Sequence, residues 1–263
     1  MEDFIIRAFI AAIGIAIISG SIGCFVIWKK ISYFSDALSH SAILGITVGL
    51  ATGVGVNIGI IIMGVCFSVL MIILKQRNLL SNDTILGILS PLSLSLGVVL
   101  IAFFDFAAVD YFSILFGDIL TVSLTDIIII YVSGIIIIAL LIWLYQPLLL
   151  LTLNEDLARA ENVNNIFYEF IFMLMIALMI ANSVQIVGIL LTTSLLIIPA
   201  AIAKNFANSP KKMIYISIIF AIISVIFGLG ISIEYDIASG PAIVLALGAL
   251  FIISYIFSYK RFS

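Results

Sequence analysis

The sequence predicts an all-α integral membrane protein, a polytopic bundle of eight or nine transmembrane helices forming one transmembrane domain over residues 1–263. Three observations carry that prediction. The chain is 64% hydrophobic and only 10% charged, with mean hydropathy +1.39, whereas a soluble domain carries about 25% charged residues. Its apolar blocks recur along the whole length at close to the roughly 20 residues a spanning helix needs. Apart from Arg7, its basic residues fall in alternate connections between those blocks.

Nine segments meet or approach the spanning length: about 5–28, 33–52, 56–74, 84–104, 126–150, 166–182, 184–203, 213–233 and 239–258. The second block and the break at 182–184 are the weakest, which leaves eight as the alternative. The first run, from Phe4 to Trp28, is too long for a signal peptide and lacks a small-x-small cleavage context. Residues 105–125 are amphipathic and suit a short helix at the outer surface. Pro91 and Pro199 fall inside apolar segments and are expected to kink them or free a carbonyl. Ser239-Gly240-Pro241 is a helix start, with Ser239 as N-cap.

With the N-terminus outside and nine crossings, ten of the eleven basic residues lie on the cytoplasmic side, together with the C-terminus, and only Arg7 remains outside. The outer connections then hold Glu2, Asp3, Asp105, Asp110, Asp118, Asp126, Glu234 and Asp236. One crossing more or fewer spoils the sorting. Of these, Asp105, Asp110, Asp118, Glu234 and Asp236 are candidates for attracting cations or contacting an external partner. The plainer account is that acids collect outside because bases are kept inside.

Asp36 and His40 stand out within YFSDALSHSAILG. His40 is the only histidine in the chain, and Asp36 lies one helical turn before it, on the same helix face. An ionisable residue at mid-bilayer costs about 2.5–3.5 kcal/mol on insertion scales, so such residues are functional candidates. A carboxylate and an imidazole so placed are metal ligands in waiting, halfway across the membrane. The competing account is a structural Asp–His hydrogen bond, joined by Ser35, Ser39 and Ser41. Two ligands make a poor structural zinc site but a reasonable transit site. A two-fold dimer with this helix near its axis would supply four.

Gly45, Gly49 and Gly53 recur every fourth residue and predict a groove for close helix packing, continued by Gly55 and Gly59. Between the fifth and sixth blocks, NEDLARAENVNN (154–165) has an Asn cap, acids in its first turn and an apolar stripe. It is expected to be a short amphipathic helix that docks a cytoplasmic partner. A helix lying on lipid headgroups would carry more Lys and Arg.

Other chemistries are absent from the pattern. No glycine precedes a lysine, so a phosphate-binding loop is missing, and ATP would be hydrolysed by a separate chain. HExxH and GxSxG are also missing, and one histidine excludes multi-histidine catalytic sites. Nothing suggests nucleic-acid binding. Cys24 and Cys66 are isolated and fit simple core packing.

Several stretches resemble a known family: DALSHSAILG (36–45), LFGDIL (115–120), NEDLARAENV (154–163), VGILLTTSLLIIPAAIA (187–203) and SGPAIVL (239–245). In order, they resemble the membrane permease of zinc, manganese and iron ABC importers. The resemblance implies a homodimer in the bacterial inner membrane, two cytoplasmic ATP-binding subunits and an external metal-binding receptor. It implies no permanently bound cofactor, only a transported divalent metal. It also makes 154–165 the coupling helix, with Glu155, Asp156, Leu157, Ala158, Arg159, Ala160 and Asn162 at the ATPase, and places Asp36 and His40 on the metal path. Asn162 stands where the family usually has glycine, and asparagine is the next-best residue for a left-handed helix end. Manganese members often carry a proline soon after the SHA motif. Its absence at Ile43-Leu44-Gly45 leans toward zinc, with manganese or iron as the alternative.

Two other classes compete. A cation- or proton-coupled secondary transporter would use Asp36 and His40 as a relay, but it needs no docking helix and often shows an inverted repeat, which is not evident here. An intramembrane aspartyl protease is suggested by Gly117-Asp118 and Tyr235-Asp236. Leu115 replaces the first glycine of its GxGD motif, and the order of the two motifs is reversed.

Overall fold

The structure is a computed structural model that describes residues 2–77, 80–105, 111–154, 158 and 160–262. Its elements are α1 (Glu2–Trp28), α2 (Ser32–Thr52), α3 (Val56–Gln76), α4 (Asn82–Phe103), α5 (Tyr111–Phe116), a 3₁₀ turn (Ile119–Thr121), α6 (Leu124–Leu153), α7 (Asn165–Phe206), α8 (Pro210–Tyr235) and α9 (Ser239–Phe262). Among the described residues, eight helices are long and apolar enough to cross a membrane. Their outward residues are large and apolar, for example Ile135, Ile142 and Trp143 of α6, as expected where lipid replaces water.

Helix α7 is a hairpin. Its 42 residues would reach about 63 Å if straight, twice the roughly 30 Å of a hydrocarbon core. Gly188 leaves the helical region, with φ 78° and ψ 168°, and the chain turns back there. Phe172, before the turn, has its ring 6.1 Å from that of Phe25 on α1. Leu196, after the turn, would lie roughly 36 Å further on along an uninterrupted helix, yet its carbonyl abuts Gly23, also on α1. The arms 165–187 and 189–206 therefore run antiparallel, and the chain makes nine passes. The reversal sits at Gly188 rather than at 182–184, because backbone packing determines its place. A Cβ on Gly188 would meet backbone atoms of Leu115, Phe116 and Gly117, and one on Gly240 would lie 2.6 Å from the Phe116 carbonyl oxygen. Three of the family-like stretches thus converge on one backbone junction.

Nine passes leave the chain's two ends at opposite ends of the bundle. One end carries Lys29, Lys30, Lys75, Arg77, Lys204, Lys211 and Lys212 at helix termini, and the other carries Asp105, Asp118, Asp126, Glu234 and Asp236. Helices α1 and α6 both start at the acidic end, where Tyr131 donates to the Ile10 carbonyl at 3.1 Å.

Helix α2 packs on both α3 and α4, and α1, α2, α3, α6, α8 and α9 all gather around α7. The α2–α3 contact is backbone against backbone: a Cβ on Gly45 would lie 2.6 Å from the Ile60 Cα, and one on Gly49 would lie 2.5 Å from the Gly55 carbonyl oxygen. Gly59 faces Gly45 and Gly49 from α3. Gly53, expected in this groove, instead closes α2 with φ 73° and meets nothing within 4 Å. Helices α4 and α7 continue through Pro91 and Pro199, and α6 through Pro147. The start of α9 falls one residue earlier than expected, with Ala238 accepting from the Ala242 amide at 3.2 Å.

Candidate metal path and coupling surface

The depth of Asp36 and His40 follows from where α1 stops. Lys29 and Lys30 end it, Lys30 turning with φ 55°, and α2 starts at Ser32. Asp36 is then about 6 Å and His40 about 12 Å along α2. Asp36 thus lies in the third of α2 nearest the basic end and His40 about two-fifths of the way along it, so the pair sits nearer that end than the expected halfway point.

Between Phe34 and Thr47 every residue of α2 is buried except the half-buried Asp36 and His40, which continue a stripe from exposed Tyr33. The Asp36 side chain is 48% exposed and the His40 side chain 28%. Their nearest atoms, Oδ2 and Nε2, are 3.8 Å apart, beyond the 2.7–3.2 Å of a hydrogen bond. Two ligands of a tetrahedral zinc, each bound at about 2.0–2.1 Å, sit about 3.4 Å from each other. The pair is thus spaced more like two ligands than like a bonded couple. Nδ1 of His40 is buried without a hydrogen-bond partner. Ser35, Ser39 and Ser41 do not join a network with the pair, because each donates to a carbonyl of its own helix, Ser32, Ser35 and Leu38 respectively.

Sequence reasoning missed the opposite wall. An open groove of about 310 Å³ is lined by Ser32, Tyr33 and Asp36 from α2 and by Thr193, Ser194, Ile197 and Ile198 from the second arm of α7. The signal was the polar run Thr192-Thr193-Ser194 inside an apolar block. Only the turn at Gly188 brings it beside α2.

At the acidic end, Asp118 and Asp126 share a polar pocket with Asn57, Thr121, Asn182 and Gln185. Gln185 donates from Nε2 to Asn57 Oδ1. Both acids are held locally. Asp118 accepts from the Leu120 amide at 3.2 Å, and Asp126 forms a reciprocal capping box with Ser123 at the start of α6. Asp105, Glu234 and Asp236 are exposed. Asp236 closes α8 with φ 51° and does not line the Asp118 pocket, so the aspartyl pair a protease needs is not assembled there. Asp110 lies outside the described residues.

Of the coupling segment, Glu155, Asp156, Leu157 and Arg159 lie outside the described residues. Asn162 takes φ 58°, and the Val163 amide donates to the Ala158 carbonyl at 2.9 Å, the pattern of a left-handed helix end. Ala160 and Asn162 are exposed. Ala158, expected at the partner surface, is fully buried, so it anchors the segment instead. Just beyond, Glu169 reaches Lys75 at 2.8 Å and Lys29 at 3.7 Å.

The model of the ABC 3 transport family matches residues 1–258. The chain is 40% identical over 254 residues to the high-affinity zinc uptake system membrane protein ZnuB of Haemophilus influenzae, covering 97% of each. It is 34% identical to the manganese transport system membrane protein MntC of Halalkalibacterium halodurans, over 98% of this chain and 89% of that one. Among solved structures it resembles PsaBC from Streptococcus pneumoniae in complex with Fab, with TM-score 0.86 and 35% identity over 96% of this chain and 91% of that one. Sequence, fold and length agree along the whole chain, which belongs to the ABC 3 transport family.

Proposed function

We propose that this chain is the membrane permease of an ABC importer in the bacterial inner membrane and that it carries a divalent metal, zinc foremost, into the cell. The observation that carries the reading is the Asp36–His40 pair, accessible on an otherwise buried stretch of α2 and spaced for shared coordination. The zinc and manganese relatives support the cargo class. The basic end faces the cytoplasm by the positive-inside rule, so the N-terminus is outside and the C-terminus inside.

ATP-binding subunits meet the basic end through 154–165, and an external receptor delivers metal at the acidic end, where Asp105, Asp110, Asp118, Glu234 and Asp236 draw cations. Two copies pair so that the open α2 stripes face each other, giving two carboxylates and two imidazoles around the path. Coordination by two mobile pairs lets the ion bind and leave. The hydroxyls of Ser32, Thr193 and Ser194 replace hydration water along the groove wall. Their oxygen-rich character also favours manganese as a second cargo.

The test is uptake of radioactive zinc into proteoliposomes holding this chain, its ATPase and its receptor, with wild type beside His40→Ala. ATP-dependent entry that the substitution abolishes in an intact assembly supports the reading. Undiminished entry in the variant refutes the path. Entry driven by an ion gradient without ATP replaces the importer with a secondary transporter, and excess manganese that fails to compete restricts the cargo to zinc.

A further inference from the structure

Helix α7, which follows the coupling segment, packs directly on both α2 and α3, so movement at 154–165 reaches the metal-bearing helix by way of α7. Segment 154–165 runs straight into α7, whose first turn is capped by Asn164 accepting from the Phe167 amide at 3.1 Å. Glu169 follows half a turn later. Its carboxylate, 13% exposed, receives Lys75 of α3 on both oxygens at 2.8 and 2.9 Å. Lys29, 8% exposed at the end of α1, stands 3.7 Å away. Helix α3 is locked to α2 by the glycine contact at Gly45, Gly49 and Gly59, too close for sliding without separating the backbones. Helix α2 carries Asp36 and His40.

We propose that Glu169 is the positioning residue that couples ATP-driven movement of the segment to the metal pair. It rests on the permease reading above. The charge-assisted Lys75 contact ties α7 to the α2–α3 unit at the level of the lysines. The Lys29 contact keeps the carboxylate in place and ties in the end of α1, from which the chain turns into α2. Pulling or tilting the first arm of α7 then carries α3 and α2 with it, and the spacing of the ligands in the two facing stripes changes. Without the tie, only the packing of α7 on α2 and α3 transmits the movement, and α2 follows α7 less tightly.

The experiment measures zinc moved per ATP hydrolysed in proteoliposomes of the full assembly, together with co-purification of the ATPase. Glu169→Gln removes the carboxylate. Lys75→Gln cuts only the α3 tie and leaves Lys29 beside Glu169. Both are expected to lower the zinc-to-ATP ratio at least fivefold while ATP hydrolysis and assembly persist. The exchanged pair Lys75→Glu/Glu169→Lys, which keeps one acid among two amines, is expected to restore the ratio to within about twofold. An unchanged ratio in Lys75→Gln overturns the proposal, as does loss of uptake only in step with loss of the ATPase, or an exchanged pair no better than the single variants. A wild type without ATP-driven zinc uptake would instead refute the permease reading on which the proposal rests.

Discussion

Gly188→Ala tests the hairpin. The residue sits at φ 78° and ψ 168°, a region open essentially to glycine alone, and a side chain there costs of order 1–3 kcal/mol. The added Cβ would also stand 2.5 Å from the Gly117 nitrogen and the Leu115 oxygen. These are backbone atoms that no rotamer change removes, and overpacking of this kind costs about 1–3 kcal/mol more. The expected loss is about 4 kcal/mol, given that the two terms relax together. Gly230→Ala is the control: Gly230 is exposed and helical and meets nothing within 4 Å, so alanine gains about 0.8–1.0 kcal/mol of helix propensity. Heating each purified variant in detergent and following the monodisperse fraction gives midpoints to compare. Gly188→Ala should fall well below wild type and Gly230→Ala should match or exceed it. Equal midpoints for Gly188→Ala and wild type would show that the turn does not depend on the glycine, and the nine-pass reading would lose its physical basis.

Other substitutions probe separate links. Gly59→Ala should push α3 off the Gly45 carbonyl, lowering the same heat midpoint by an amount equivalent to about 1–3 kcal/mol, and a midpoint at the wild-type value refutes the close contact. Ser123→Ala removes the α6 capping box and should cost about 1 kcal/mol, again read by the heat midpoint, with zinc uptake retained. Arg159→Glu should weaken recovery of the ATPase in a pull-down, and unaltered recovery counts against docking through 154–165.

Much of the site was legible because its signals are local. The i, i+4 spacing puts Asp36 and His40 on one helix face wherever the helix goes. Hydropathy and the sorting of lysines define the passes and the two ends of the bundle. Asn162 could be matched to a left-handed helix end from its residue type. The Asp36–His40 pair lies nearer the basic end than expected because residue spacing places the two on one helix face but not at a depth, which the turn between α1 and α2 sets. Gly53 was misplaced because a repeat of small residues does not say which of them meets a partner.

The sequence by itself determined the class of the protein, the eight or nine apolar blocks, the placing of Asp36 and His40 on one helix face and the sorting of charge between alternate connections. These follow from burial and helical periodicity, which act over a few residues. Only the tertiary structure decided that the chain reverses at Gly188, that Thr193 and Ser194 face Asp36, and that Lys29 and Lys75 converge on Glu169. Each depends on backbones or charges far apart in the chain coming within a few ångströms, and no local preference encodes which helix will be the neighbour.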